Sequence, residues 1–471
     1  MDKRSFDKLE FIENHLQPAF LIEGQEQPGM TLAERMAYYN VPGASLAVVE
    51  NGEIAFAKAY GLADAETGQP VTTETLFQAA SISKPVSALA AMALVQAGKL
   101  DLDADVNTLL KSWQVPENEF TQTEKVTLRR ILSHNAGLTV HGFPGYAQGV
   151  DLPTVQQVLL GQPPANTEAV FVDVLPGSIW RYSGGGTTVA QLLLMETTGL
   201  THAELMQKYV LGPAGMQHST YQQPLPPHRR AEASTAHSAN GKPVPGKWHT
   251  YPEQAAAGLW TTPSDLCRYV IAVQRSYLGQ PGAVLNPEIA KEMLRVQFDS
   301  FGLGPHIMGE GQSLSFSHGG SNEGFRCEMM GYAHTGQGIA VMTNSDNGGS
   351  LCQEILRAAA LAYGWQDYLP PVKPAVRLPE DVLQSYTGVY AFTEQPEVVI
   401  TVTCQDGQLM VQTPVAPGKV MPLFAEAEAK FFETDMGLLI RFEQQNDQQV
   451  LELQISNFKM QAVKSSQNPT A

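Results

Sequence analysis

The sequence predicts a chain of the α/β class in its α+β form: an antiparallel sheet flanked by helices, with a helical region inserted, followed by a small all-β barrel. Three observations predict it. Strand patterns cluster at residues 44–59 and again at 313–343, on either side of a stretch dominated by helical periodicity. A proline-rich run without periodicity, residues 369–379, then interrupts the chain. Beyond it, seven short strand candidates follow at close spacing, separated by turns such as Gln405-Asp406-Gly407. The expected domains are therefore residues 1–365, a linker at 366–377 and a barrel at 378–471.

Taken in order, the N-terminal segment sets Phe6, Leu9, Ile12 and Leu16 at helical spacing among many charges, unlike the continuous apolar core of a signal peptide. The expectation is a helix without an export signal, and a cytoplasmic location. Residues 44–49 and 53–59 flank Asn51-Gly52, a pair suited to a type I′ hairpin turn.

Ser81-Ile82-Ser83-Lys84 follows the strand-like residues 76–78 and opens a helix-patterned run, 85–98. Residues three apart on a helix are neighbours, so Lys84 sits one turn above Ser81 and can take its proton. Pro85 is tolerated only in the first turn, which puts Ser81 at the N-terminus, where unpaired N–H groups favour an oxyanion. The same S-x-x-K spacing recurs at Ser5 to Lys8 and at Ser456 to Lys459, but neither copy has a strand leading into a helix.

Residues 127–138 read as a short amphipathic helix stopped near Gly137; His134 is either a catalytic group or, the simpler reading since nothing nearby supplies a base or metal partner, a brace near the helix end. Tyr182 falls on a loop beside the run Gly184-Gly185-Gly186, ahead of a helix at 187–198. Such glycines let backbone approach a ligand closely, but the spacing fits neither a dinucleotide fingerprint nor a P-loop. In the second sheet half, His318-Gly319-Gly320 ends a strand that lines the Ser81 cleft if it joins the N-terminal hairpin, and a helix at 351–363 closes the domain.

Composition narrows the functions. With 43% apolar residues in 471, a large core is available; 30 basic against 47 acidic residues give −17, against a nucleic-acid or anionic-membrane binder. No apolar run is long enough to span a bilayer. Cys267, Cys327, Cys352 and Cys404 form no C-x-x-C pair, so reduced structural thiols are expected and no metal site is indicated.

With Ser81-x-x-Lys84, Tyr182-Ser183-Gly184 and His318-Gly319-Gly320 in that order, the chain resembles the serine β-lactamase and penicillin-binding-protein-like family. The likeness is greatest to its class C-like branch, which also holds D-aminopeptidases, D-stereospecific peptidases and carboxylesterases. It covers roughly residues 30 to 365 and includes Leu132-Ser133-His134-Asn135-Ala136-Gly137-Leu138. The tail resembles the lipocalin-like domain found behind some of these hydrolases. The resemblance implies a β-lactamase/transpeptidase-like fold, with Ser81 as nucleophile, Lys84 as its activating partner, Tyr182 as proton carrier and His318 as a further catalytic-site group. It implies an oxyanion hole from the backbone N–H groups of Ser81 and Ser321, and substrate contacts at Gly184, Gly319 and Gly320. Whether Lys84 or a Tyr182 tyrosinate is the base stays open.

Two departures matter. Gly184 stands where the family's Y-x-N motif has an asparagine, and His318 stands where β-lactamases have the lysine of K-T-G. The expected function is a cofactor-independent serine hydrolase that acts through an acyl-enzyme on a small ester or peptide amide, of esterase or D-amino-acid peptidase type. The alternatives are a β-lactamase or D-alanyl-D-alanine carboxypeptidase, acting on a β-lactam-like substrate or peptide, and a catalytically silent ligand-binding relative. The barrel is expected to cover the cleft, restrict substrate size or mediate homo-oligomer formation.

Overall fold

Asn51 and Gly52 take φ of 55° and 73°, the left-handed pair that a type I′ turn requires, and so join β1 (Gly43–Glu50) to β2 (Glu53–Asp64). A computed structural model describes residues 3–26, 29–416, 418–446, 448–455 and 458–465. The hairpin continues into β3 (Gln69–Pro70), while β4 (His306–Met308), β5 (Ser315–Asn322), β6 (Phe325–Tyr332) and β7 (Gly338–Thr343) form the other half of one sheet. Its order is β3-β2-β1-β7-β6-β5-β4, every pair antiparallel. The central pair sets Ala47 of β1 opposite Ala340 of β7, so the two sequence-distant halves join as expected.

Three helices place the site. α1 (Ser83–Gln96) is apolar on all sides, with Val86, Leu89, Met92 and Leu94 fully buried, as befits a helix packed all round. α2 (Gly184–Thr198) is similarly enclosed. α3 (Pro263–Leu278) lies on the sheet: Val270 comes so near Gly331 and Gly338 that a Cβ at either would sit 2.4 and 2.9 Å from its Cγ1. Glycine at those sheet positions is what lets helix and strands meet.

The chain divides into two compact units, Met1–Glu10 with Leu32–Cys352, and Phe11–Thr31 with Gln353–Ala471. In the second, β8 (Gly388–Phe392), β9 (Val399–Gln405), β10 (Gln408–Gln412), β11 (Met421–Ala427), β12 (Lys430–Phe432), β13 (Leu439–Gln445), β14 (Gln448–Ile455) and β15 (Phe458–Lys464) close into an antiparallel barrel. The sequence pattern has seven of these strands. The eighth, β8, pairs with both β9 and β15 and so closes the ring. Tyr390, Ile400, Val402, Leu409, Val411, Phe431, Leu451 and Leu453 fill the interior, so this barrel is packed with side chains. Within the proline-rich stretch, Val372–Lys373 pairs in parallel with Leu21–Ile22, and Val376 bridges Ala425. No disulfide links the four cysteines. Among the described residues, no helix is long and apolar enough to cross a membrane.

Candidate active site

Phe77–Gln78 pairs with Trp260–Thr261, and the Ala79 N–H donates to Leu259 O at 2.8 Å, delivering the chain into a 3₁₀ turn over Ala80–Ile82. Ala80 enters it at φ 48°, a left-handed conformation that costs a residue with a Cβ roughly 1–3 kcal/mol. The surroundings hold it there. Ala80 and Ile82 are fully buried, Ser83 Oγ accepts from the Leu259 N–H at 3.0 Å, and the Tyr221 hydroxyl donates to Ser83 O at 2.8 Å. Between Ala80 and Ile82, Ser81 stays partly exposed, two residues before α1 begins at Ser83.

Lys84 rises one turn above it. Its Nζ lies 3.0 Å from Ser81 Oγ and donates to Ala256 O at 2.9 Å. Burial lowers its pKa from 10.5 to about 7, because the charged ammonium is desolvated and no carboxylate compensates. A substantial fraction is then free amine at neutral pH. Such an amine can donate to Ala256 O while its lone pair faces the Ser81 hydroxyl.

The Tyr182 ring lies 4.8 Å from Lys84 Nζ. Burial pushes its phenol well above the ordinary range, outweighing the hydrogen bond with the Ser81 hydroxyl, which acts the other way. It is therefore a protonated phenol at neutral pH. The segment before it is fastened to residues 134–139: Arg181 N–H donates to His134 O at 2.7 Å, and the Arg181 guanidinium pairs with Asp173. Ser183 caps α2, its Oγ accepting from Gly186 N–H at 2.7 Å and donating to Thr139 O at 2.8 Å.

His134 braces this loop. The Ser183 N–H donates to its Nδ1 at 3.3 Å, and its ring packs 4.3 Å from that of Tyr182. Burial, with Lys84 nearby, holds its pKa well below 6.5, so the ring is neutral with its proton on Nε2. The helix before it covers only Leu128–Leu132, shorter than the pattern suggests, because the chain turns at His134 (φ 57°).

Gly184, Gly185 and Gly186 form the first turn of α2, and a Cβ on Gly184 would lie 2.9 Å from Phe143 and one on Gly185 2.6 Å from Thr139 O. The close approach they permit is to residues 139–143.

His318 lies within β5 rather than at its end, opposite Met329. Its Nδ1 lies 2.6 Å from Gly319 O, which fixes the N–H there and leaves Nε2 as an acceptor; that Nε2 is buried and has no partner among the described residues. Burial, reinforced by Lys84, lowers its pKa to about 3. Gly320 is packed on the turn: a Cβ would sit 2.3 Å from Ala79 O, and the next residue on the strand, Ser321, is exposed. Gly319 is partly exposed on the same strand. Ser81, Lys84, Tyr182 and His318 are thus brought together. Ser5 is not among them, since it lies on the helix Lys3–Asn14, whose Lys8 pairs with Glu50 at 2.7 Å. Ser456 lies outside the described residues.

Sequence reasoning missed Glu253. It precedes the segment whose Ala256 O accepts from Lys84, it is fully buried, and among the described residues neither carboxylate oxygen has a side-chain partner. Desolvation raises its pKa from 4.5 to about 7. The folded state therefore holds a proton that the unfolded chain has lost: its favourable contribution is complete below pH 4.5 and disappears as pH rises through 7. Glu253→Gln removes the ionisation cost, so the variant is expected to gain on the order of 3 kcal/mol over the wild type between pH 5 and pH 8. Thermal melts at both pH values check it; a Tm difference that does not grow with pH would show that Glu253 has a partner in solution.

A strained serine turn against a sheet edge, with a buried lysine one helical turn on and a tyrosine across the cleft, defines a β-lactamase/penicillin-binding-protein-like fold. The beta-lactamase family model matches residues 30–363, and the chain belongs to that family of serine hydrolases. Residues 372–467 match a domain of unknown function, DUF3471. The chain is 33% identical over 184 residues to esterase EstB of Burkholderia gladioli, a match covering 37% of this chain and 46% of the esterase, less than half its length. The octameric penicillin-binding protein homologue from Pyrococcus abyssi superimposes with a TM-score of 0.61 at 21% identity, over 91% of this chain and 98% of that one. A class C beta-lactamase superimposes with a TM-score of 0.55 at 22% identity, over 69% of this chain and 93% of its own.

Proposed function

We propose that this protein hydrolyses a small ester or peptide amide through an acyl-enzyme on Ser81. The observation that carries the reading is the 3.0 Å approach of a desolvated Lys84 to the Ser81 hydroxyl. Lys84 as free amine takes the Ser81 proton while Oγ attacks the substrate carbonyl. Tyr182, a phenol at neutral pH, passes a proton to the leaving alcohol or amine and is replenished by the Lys84 ammonium. The raised phenol favours Lys84 over a tyrosinate as the first base. The backbone N–H groups of Ser81 and Ser321 receive the oxyanion, and water then releases the acyl group by the reverse proton path. Esterase EstB among the relatives supports ester over amide.

The β-lactamase and carboxypeptidase alternatives require a charge for the substrate carboxylate. His318 is neutral and buried, and Gly184 leaves no amide side chain, so both positions favour an esterase or peptidase substrate. The barrel is proposed as an accessory domain that follows, in sequence, a hydrolase domain spanning residues 1–365, with cleft covering, restriction of substrate size or self-association as its task.

The pH dependence tests the base. Activity is expected to rise with pH through an apparent pKa near the Lys84 value of about 7, as the ammonium loses its proton. Stopped-flow acylation by p-nitrophenyl acetate between pH 5 and 9 measures it. A flat profile across that range would remove Lys84 from the base role.

A further inference from the structure

Resting on the hydrolase reading above, we infer that the site takes an uncharged ester carrying an aromatic ring, held against a wall formed by Trp180, Phe301 and His306.

The wall is continuous. Ring centroids of Phe301 and His306 are 5.4 Å apart, those of Trp180 and Phe301 5.1 Å, and those of Phe301 and His134 5.5 Å. Trp180 in turn lies 6.4 Å from Tyr182, whose ring is 6.1 Å from His318. Trp180, Phe301, His306 and Tyr182 are each partly exposed, so the ring cluster that adjoins Tyr182 keeps surface within reach of solvent. Covering such a face with another ring removes apolar surface from water and adds favourable ring geometry.

The wall is also rigid. Phe301 bridges Phe298 and His306 within a tight loop, and Gly304 fastens that loop to the floor of the site, its N–H donating to Leu132 O at 3.0 Å. At φ 114° Gly304 comes so close to α1 that a Cβ there would sit 2.7 Å from Ala88 Cβ and 3.1 Å from Pro85 Cα. Phe301 is therefore indexed to the helix that carries Lys84. Trp180 is held by the Arg181 and Gly177 bonds to His134 O and Asn135 O, both 2.7 Å.

Charge is scarce along it. Among the described residues, Lys84 is the ammonium that lowers His134, His141 and His318, and the Asp299 carboxylate is the charge that acts on His306. Arg181, next to Trp180, is paired with Asp173. A substrate carboxylate would meet neutral rings here, with Lys84 already engaged by Ser81 and Ala256.

The full-length protein is assayed by pH-stat on ethyl acetate, benzyl acetate, ethyl phenylacetate, cyclohexylmethyl acetate and monobenzyl succinate. At least one neutral ring-bearing ester is expected to exceed ethyl acetate in kcat/KM by about 10-fold or more, the two arms telling whether the alcohol or the acyl side meets the wall. Monobenzyl succinate is expected to fall about 10-fold below benzyl acetate, since burying its carboxylate against neutral rings is unfavourable. Trp180→Leu and Phe301→Leu, which retain most of the volume, are expected to reduce the aromatic-to-ethyl ratio several-fold. Turnover of ethyl acetate without ring preference overturns the inference, as does equal turnover of cyclohexylmethyl and aromatic esters, or an unchanged ratio in both folded variants. Absence of turnover on every ester, with no covalent label on Ser81, overturns the hydrolase reading beneath it.

Discussion

Ser81→Ala and Lys84→Met are each expected to lower kcat by roughly 1,000-fold or more, and the double variant no further, because a nucleophile and its base act as one unit. The lysine variant also separates chemistry from folding. In the wild type the folded state binds fewer protons at Lys84 than the unfolded chain between about pH 7 and 10.5, so the buried lysine destabilises most below pH 7. Met fills the same space without charge. Lys84→Met is therefore expected to melt above the wild type at pH 6, with the advantage shrinking towards pH 10, while remaining inactive. Ser5→Ala, on the N-terminal helix, is expected to keep wild-type rates. A folded Ser81→Ala that retains a tenth of wild-type turnover would remove Ser81 from the nucleophile role.

Tyr182→Phe is expected to lower kcat by roughly 100- to 10,000-fold with KM changed only a few-fold. The ring would keep its packing on His134 at 4.3 Å and its place beside Lys84 Nζ, and only the hydroxyl is lost. Steady-state kinetics on one ester measure it. A rise in KM at constant kcat would make Tyr182 a binding group, and the proton would then have to travel directly between Lys84 and the leaving group.

Much of this site is legible in sequence because its centre is local. Ser81, Lys84 and Pro85 lie within one helical turn, so spacing and the proline's backbone restriction already place a hydroxyl beside an amine. Tyr182 and His318 carry no such local signal; their order relative to Ser81 identifies them, and the joining of β1 to β7 realises it. Where packing across sequence distance decides, the pattern falls short. Gly184 and Gly185 face residues 139–143 rather than open space, β8 closes a barrel whose other seven strands are visible, and Leu21–Ile22 pairs with Val372–Lys373 some 350 residues away. Glu253, Phe301 and His306 are ordinary residues in the sequence. Burial without a partner in the first case, and a glycine-fastened loop in the others, give them significance that composition and period do not contain.

The central claim is covalent chemistry at Ser81. The full-length protein is incubated with a fluorophosphonate, digested with trypsin and sequenced by mass spectrometry; cleavage is blocked at Lys84-Pro85, so Ser81 lies in peptide 59–99 together with Ser83 and Ser87. The expected result is one adduct, localised by fragmentation to Ser81, and lost in Ser81→Ala. A stoichiometric adduct elsewhere, or an unlabelled Ser81 in folded protein at pH 8, contradicts the account.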